Sequence, residues 1–254
     1  MNLWVSFKTI LAKEIWRIFR VWTQTLLPSG ITMGLYFVIF GNLLGSRLGT
    51  IEGTPYILFI TPGLIMMAVI MNSYANVVSS LYISRFQRSI EEILVSTTSN
   101  MVFMLGFVVG GMIRGLLVGI VVTIIALFFT HLELKHTFVL LLVLTLSAFF
   151  FSLAGFANAL VARDFDDTMI IPTFLITPLT YLGGVFYSIT FLPDIWQKVS
   201  LFNPILYIVN GFRYGMLGVS DIQISIALLI MTLACGLMCL LNLYLLKKGT
   251  GLRQ

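Results

Sequence analysis

Charge is what this 254-residue sequence has least of. Asp, Glu, Lys and Arg together make 10% of it, against roughly a quarter in an ordinary soluble domain. Hydrophobic residues make 59% and the mean hydropathy is +1.02. A water-soluble fold of this length could not hide that much apolar surface, so a soluble domain is excluded and lipid is the expected solvent. Cysteine is nearly absent too. Cys235 and Cys239 lie four apart on one helical face of the last apolar stretch, a poor geometry for a disulfide and too few ligands for a metal site of recognised spacing. Both read as small hydrophobes. A nucleotide-binding loop is missing as well: Gly-x-x-x-x-Gly-Lys-Ser/Thr is not found, and the nearest run, GNLLGSR from Gly41 to Arg47, has the wrong spacing.

What is there in abundance is long charge-free runs. Crossing the hydrocarbon core takes about 20 apolar residues in a helix. Arg114 interrupts two runs that would otherwise leave no loop between them, so they count as one span. Six spans result: Thr25–Leu44, Tyr56–Tyr82, Met101–Thr130, Phe138–Val161, Met169–Ser188 and Gln223–Leu246. The expected fold class is an all-α polytopic membrane protein, one domain over residues 1–254. The net charge of +5 sits in short runs between the spans, which reads as orientation signal and not as a nucleic-acid footprint. Ten basic residues fall on the side of the two termini (Lys8, Lys13, Arg17, Arg20, Arg85, Arg88, Arg163, Lys247, Lys248, Arg253) and four on the other (Arg47, Lys135, Lys198, Arg213). That bias places both termini in the cytoplasm, and the long first apolar run reads as a retained anchor.

Ahead of the first span, residues 3–22 carry Phe7, Ile10, Leu11, Ile15, Ile18, Phe19 and Trp22 at three- and four-residue spacing, with Lys13, Arg17 and Arg20 as a second stripe. The pattern predicts an amphipathic helix lying in the membrane interface with its cations towards lipid phosphates, or else a helix packed on a partner protein. Transport against a gradient needs a power source, and secondary transporters bury ionisable residues for it. No Asp, Glu, Lys or His lies in a predicted span, and Arg114 does not release its proton. The same lack argues against an intramembrane enzyme, which needs a nucleophile and base or a metal set. A passive channel, or a subunit driven by another protein, remains.

From Arg163 to Gly218 the sequence reads RDFDDTMIIPTFLITPLTYLGGVFYSITFLPDIWQKVSLFNPILYIVNGFRYGMLG. With Pro178, Leu179, Gly184, Phe186, Leu192, Pro193, Asn203, Pro204, Arg213 and Gly218 in order, it resembles the signature region of type-2 ABC exporter permeases, in particular the short bacterial six-span members. Phe86 to Ser99, FQRSIEEILVSTTS, is similar to that family's cytoplasmic stretch, departing from it by lacking a proline. The resemblance implies a dimer of permeases in the bacterial inner membrane, joined to two copies of a cytoplasmic ABC ATPase. That ATPase would bind ATP and Mg and drive a lipid, glycan or drug-like substrate outward. No cofactor is expected on this chain. An ATP-independent channel or facilitator is the alternative. The resemblance also implies that residues 85–99 couple to the ATPase, through Arg85, Arg88, Glu91, Glu92, Ile93 and Leu94; a solvated loop is the plainer reading of the same residues. Asp166 and Asp167, just before the fifth span, suit helix capping, with ATPase docking as the sharper alternative.

Residues 192–218 are uncharged for fourteen positions between Lys198 and Arg213 and broken by Asn203-Pro204. A re-entrant helical hairpin in the outer leaflet is expected, or an extracellular cap. Gly111, Gly115 and Gly119 form a packing ladder, within the bundle or between copies. Asn72, Ser73 and Asn76 in the second span and Thr173, Thr177, Thr180 and Tyr181 in the fifth either bond helices together or line a substrate path. Arg114 lines a polar path for an anionic head group or snorkels towards an interface. His131, Glu133 and His136 lack a fourth ligand and read as interfacial polar residues, so no metal is expected.

Overall fold

The computed structural model describes residues 3–51, 53–91 and 98–250. Helix α1 (Leu3–Arg20) leads through Val21 into α2 (Trp22–Tyr36), which continues as a π-helical stretch (Phe37–Leu44) and a last turn (Gly45–Leu48). A minimal antiparallel hairpin, β1 (Thr50–Ile51) on β2 (Thr54–Pro55), then turns the chain into α3 (Tyr56–Phe86). The long helices α4 (Asn100–Leu127) and α5 (Thr137–Val161) follow. The run 167–182, α6, has three consecutive parts: Asp167–Ile171, a π-helical Pro172–Ile176, and Thr177–Leu182. Two shorter helices, α7 (Asp194–Leu201) and α8 (Pro204–Leu217), precede the last, α9 (Ile224–Lys248).

Five helices among the described residues are long and apolar enough to cross a membrane: Trp22–Gly41, α3, α4, α5 and α9. The stretch expected as a fifth span, residues 169–188, is helical only to Leu182. Gly183 and Gly184 follow, and Gly184 takes φ +74°, a conformation few side chains tolerate. The middle of α6 widens because Pro172 and Pro178 have no N–H to donate to the preceding turn. The Thr177 hydroxyl donates to the Pro172 carbonyl at 2.8 Å, beside the bond which that carbonyl accepts from the Thr177 N–H.

Helix α3 is the centre of the bundle, with 78% of its most apolar window buried, against 17% for α9, although α9 is the more hydropathic (2.6 against 1.8). Small residues explain the difference. The ladder Gly111, Gly115, Gly119 of α4 lies against Val77, Ser73 and Val69 of α3, one turn per step, so it is an internal seam. Gly155 of α5 meets the Tyr74 backbone, and Gly63 of α3 meets the backbone of Val185. A Cβ at Gly63 or Gly155 would stand 2.6 Å from a carbonyl oxygen, so these approaches need glycine.

Residues 192–218 form two helices broken at 202–203, as the Asn203-Pro204 pair predicts. The Asn203 carboxamide caps α8 by accepting from the Ile205 N–H at 2.9 Å and donates to the Leu179 carbonyl at 2.6 Å. Helix α8 is almost wholly buried against α3, α5 and α9.

Candidate functional site

Helix α1 turns a face with Ser6, Ile10, Glu14 and Ile18, spaced by four, towards the bundle. Gly106 and Gly110 of α4 receive Ile10 and Glu14, and a Cβ on Gly110 would stand 2.6 Å from that of Glu14. The step of four on α1 matches the step of four on α4, so the two helices run alongside each other where they touch. A carboxylate is thereby carried into an apolar contact. Glu14 is wholly buried.

That carboxylate is partnered. Ser80 of α3 donates to its Oε1 at 2.5 Å, and Arg17, one turn on, approaches Oε2 at 3.3 Å. Arg17 also donates to Asn76 of α3, at 2.8 Å to both its main-chain carbonyl and its Oδ1, and to Ser79 Oγ at 3.3 Å. The Asn76 Oδ1 is shared with Arg114 of α4, at 3.5 Å, while Arg114 reaches Asn72 Oδ1 at 3.3 Å. Asn72 in turn donates to Ser29 Oγ of α2 at 3.1 Å. Four helices therefore meet in one polar seam that holds two guanidiniums and one carboxylate, with Arg17 on Glu14 and Arg114 on the amide oxygens of Asn72 and Asn76. The Nε atoms of Arg17 and Arg114 and Nδ2 of Asn76 are buried without a hydrogen-bond partner among the described residues.

This geometry gives the cationic stripe of α1 partners within the bundle as well, while Lys13 and Arg20 stay exposed. Arg17 turns inward to Asn76, and Lys13 reaches Ser84 Oγ at 3.3 Å, because α3 offers them acceptors along its polar edge. Of the candidate path residues, Asn72, Asn76 and Arg114 are brought together. Ser73 faces the glycine ladder. Thr180 is buried and donates to Ile176 O at 2.7 Å, Thr177 is partly buried, and Thr173 and Tyr181 are exposed on α6. These four do not join the seam. Tyr181 stacks on Phe186, ring centroids 6.0 Å apart.

Among the residues assigned to coupling, Arg85 is committed to the bundle: its guanidinium caps the end of α5, donating to the carbonyls of Ala159, Leu160 and Ala162. Arg88 takes φ +57° and is exposed, as is Glu91. Glu92, Ile93 and Leu94 lie outside the described residues. Asp166 does not cap α6. It already has helical dihedrals, which turn its carboxylate away from the first amides. Asp167 instead reaches back to accept from the Arg163 N–H at 3.0 Å.

At the far end of the bundle, Arg213 is not a loop cation, as its place in the sequence suggests, but a wholly buried residue of α8. Its Nη2 donates to the Gly184 carbonyl at 2.5 Å, its guanidinium carbon stands 3.9 Å from the Phe59 ring centroid, and Asp221 lies 3.9 Å away. Asp221 accepts from Ser188 Oγ at 2.8 Å. The signature residues Gly184, Asn203, Pro204 and Arg213 thus pin the loops around α8, while Pro178 shapes α6 and Pro193 stands at the N-cap of α7. Beside them, His136 stacks on Tyr214 at 4.5 Å, while His131 and Glu133 are exposed.

Sequence reasoning missed Glu14, Ser80, Ser29, Asp221 and Asn158. Asn158 Nδ2 donates to Tyr74 Oη at 2.6 Å and to Thr168 O at 3.1 Å, tying α5 to α3 and α6. A usable signal for Glu14 was present. It breaks an apolar stripe spaced by four, and Gly106 and Gly110 repeat that spacing on another helix.

An all-helical bundle with several membrane-length helices, a polar seam inside it and the 163–218 signature packed as one unit define a polytopic transport protein. The chain belongs to the ABC-2 type transporter family, which it matches over residues 5–217. It is 51% identical over 251 residues to the inner membrane transport permease YadH of Escherichia coli strain K12, covering 99% of this chain and 98% of that protein. It is also 21% identical over 230 residues to nodulation protein J of Sinorhizobium fredii, covering 85% and 87%. Nodulation protein J of Rhizobium meliloti shares 22% over 185 residues, covering 72% and 71%.

Proposed function

We propose that this chain is the membrane-spanning subunit of an ATP-driven exporter of the bacterial inner membrane, moving a lipid, glycan or drug-like substrate outward. It has no nucleotide site of its own, and a separate cytoplasmic ABC ATPase, in two copies, supplies the power with ATP and Mg. Two permease copies form the passage. In this reading α6 completes six spans, the α7–α8 pair enters the outer leaflet, α1 lies at the inner leaflet, and both termini are cytoplasmic, in keeping with the basic bias of that side.

The observation that carries the reading is the exposed face where α3 and α5 end. Phe86 is 80% exposed beside Arg88 and Glu91, and the loop after α5 presents Arg163, Asp164, Phe165 and Asp166. Tyr82 meets Phe165 edge-on at 6.0 Å, so the two patches are one surface. Apolar rings rimmed by charges of both signs suit a protein partner better than water. Helix α3 links this face directly to Asn76 and Asn72 in the seam, which gives a partner's movement a rigid path to the candidate substrate route.

The test is assembly and coupling. A mild-detergent extract should yield the permease with a cytoplasmic ATPase, and Glu91→Ala with Glu92→Ala should lower permease-stimulated ATP hydrolysis. An unchanged hydrolysis rate would remove the two glutamates from coupling. Uphill accumulation of solute by the lone permease in vesicles would overturn the exporter reading in favour of a self-powered transporter.

A further inference from the structure

A groove of about 560 Å³ runs along α1, lined by Lys13, Trp16, Arg17, Phe19 and Arg20. That is the size of a small-molecule site, and three of its five lining residues are cations with no carboxylate among them. Glu14, wholly buried on the other face of α1 and held by Ser80 and Arg17, offsets Arg17 and leaves the positive charge of Lys13 and Arg20 at the groove. Beyond the groove, Arg17 and Arg114 share the Asn76 Oδ1. Arg114 stands fourteen residues into α4, about 21 Å along the helix from its start. Neutral amide oxygens at 3.3 and 3.5 Å are its hydrogen-bond partners, and its Nε has none. A guanidinium so placed in a membrane protein is costly unless an anion meets it. Trp16 and Phe19, 77% and 57% exposed, add apolar surface beside the cations, which free phosphate in water would not need.

We propose that this groove binds the anionic, phosphate-bearing headgroup of an amphiphile, with Lys13, Arg17 and Arg20 as the entry contacts and Arg114 as the deeper one. The apolar part of the ligand lies along Trp16 and Phe19. The inference deepens the exporter reading, on which it rests, by naming the chemistry that the substrate route accepts.

The full chain, purified in detergent, is offered phosphatidylglycerol, phosphatidylcholine or inorganic phosphate, and retained lipid is counted by native mass spectrometry. Phosphatidylglycerol should be retained over phosphatidylcholine, and inorganic phosphate should not compete at equal concentration. Arg114→Gln, and separately Lys13→Gln with Arg20→Gln, should each weaken phosphatidylglycerol retention by about tenfold, the worth of a lost hydrogen bond to a charged group. The second variant alters exposed side chains, so the test stands even if the first fails to fold. Arg17 is left in place because Glu14 depends on it. Equal retention of both lipids, or no loss in the Lys13 and Arg20 variant, would overturn the site; full competition by inorganic phosphate would overturn the amphiphile. No ATPase enters this measurement, so failure to copurify an ATPase would sink the exporter reading alone, and equal lipid retention would sink only this one.

Discussion

Arg213 at one end of the bundle and the Arg17–Arg114 pair at α1, α3 and α4 are both held among helices, yet their surroundings differ in kind. Around Arg213 one cation meets one carboxylate, one backbone carbonyl and one aromatic face, and the residue is wholly buried. In the seam one of two cations, Arg17, meets the single carboxylate, both reach for the same Asn76 amide oxygen, and Arg17 keeps 19% of its side chain exposed beside an open groove. The first arrangement has nothing left to bind. The second carries one positive charge in excess. A buried charge that is fully partnered holds a fold in shape, whereas one that is under-partnered and reachable is poised to receive a ligand.

The largest expected effect is at the closed site. Arg213→Met leaves Asp221, whose side chain is 3% exposed, without its cation, and should cost about 3–5 kcal/mol of stability. The thermal-unfolding midpoint in detergent measures it, and adding Asp221→Asn should restore part of the loss. If the single variant unfolds like the parent, Arg213 is no staple and the contrast between the two sites collapses. Next comes Gly115→Val. The added side chain would collide with Ser73 Oγ and meet the Val69 carbonyl, pushing α3 from α4 at a cost of about 1–3 kcal/mol. Because Asn72 and Asn76 ride on α3, this variant should also damage lipid retention. Unimpaired retention would show that the seam does not depend on that helix contact.

Much of the bundle was legible in the sequence because lipid leaves few options: charge-free runs must be helices. The ends of α3, α4, α5 and α9 fall within a few residues of the expected spans for that reason. Residues 183–188 were not legible as a loop, since Gly183-Gly184 is as apolar as a span by composition, and only the φ of +74° at Gly184 betrays the stop. The polar seam was half legible. Asn72, Asn76 and Arg114 stand out inside apolar runs, whereas Glu14 and Arg17 look like ordinary members of an amphipathic helix. Only the pairing of Ile10 and Glu14 with Gly106 and Gly110 turns that face inward. Such pairings couple residues about a hundred positions apart, and single-sequence periodicity carries no information about them.

Glu14→Gln sharpens the comparison from the other side. The amide keeps the contact with Ser80 but gives up the charge, so Arg17 loses its counterion and stability should fall by about 2 kcal/mol. Positive charge in the seam also rises, so retention of phosphatidylglycerol should strengthen while the unfolding midpoint drops. Opposite movement of the two readouts is the signature of a site whose charge excess is there for a ligand. A parallel fall of both would mean that Glu14 serves the fold alone.

The smallest effect on stability, and the most telling, is expected from Arg114→Gln. Glutamine can still donate to Asn72 or Asn76, so about as many hydrogen bonds form as are lost, and the desolvation cost of the guanidinium disappears. The unfolding midpoint should move by little or rise slightly, in contrast to the collapse at Arg213. If Arg114 were a structural partner like Arg213, the two variants would lose stability together, and a paired thermal-unfolding measurement of Arg213→Met and Arg114→Gln decides between these. A stable Arg114→Gln protein that no longer retains the anionic lipid would assign the excess charge to binding, because no packing term is left to account for the loss.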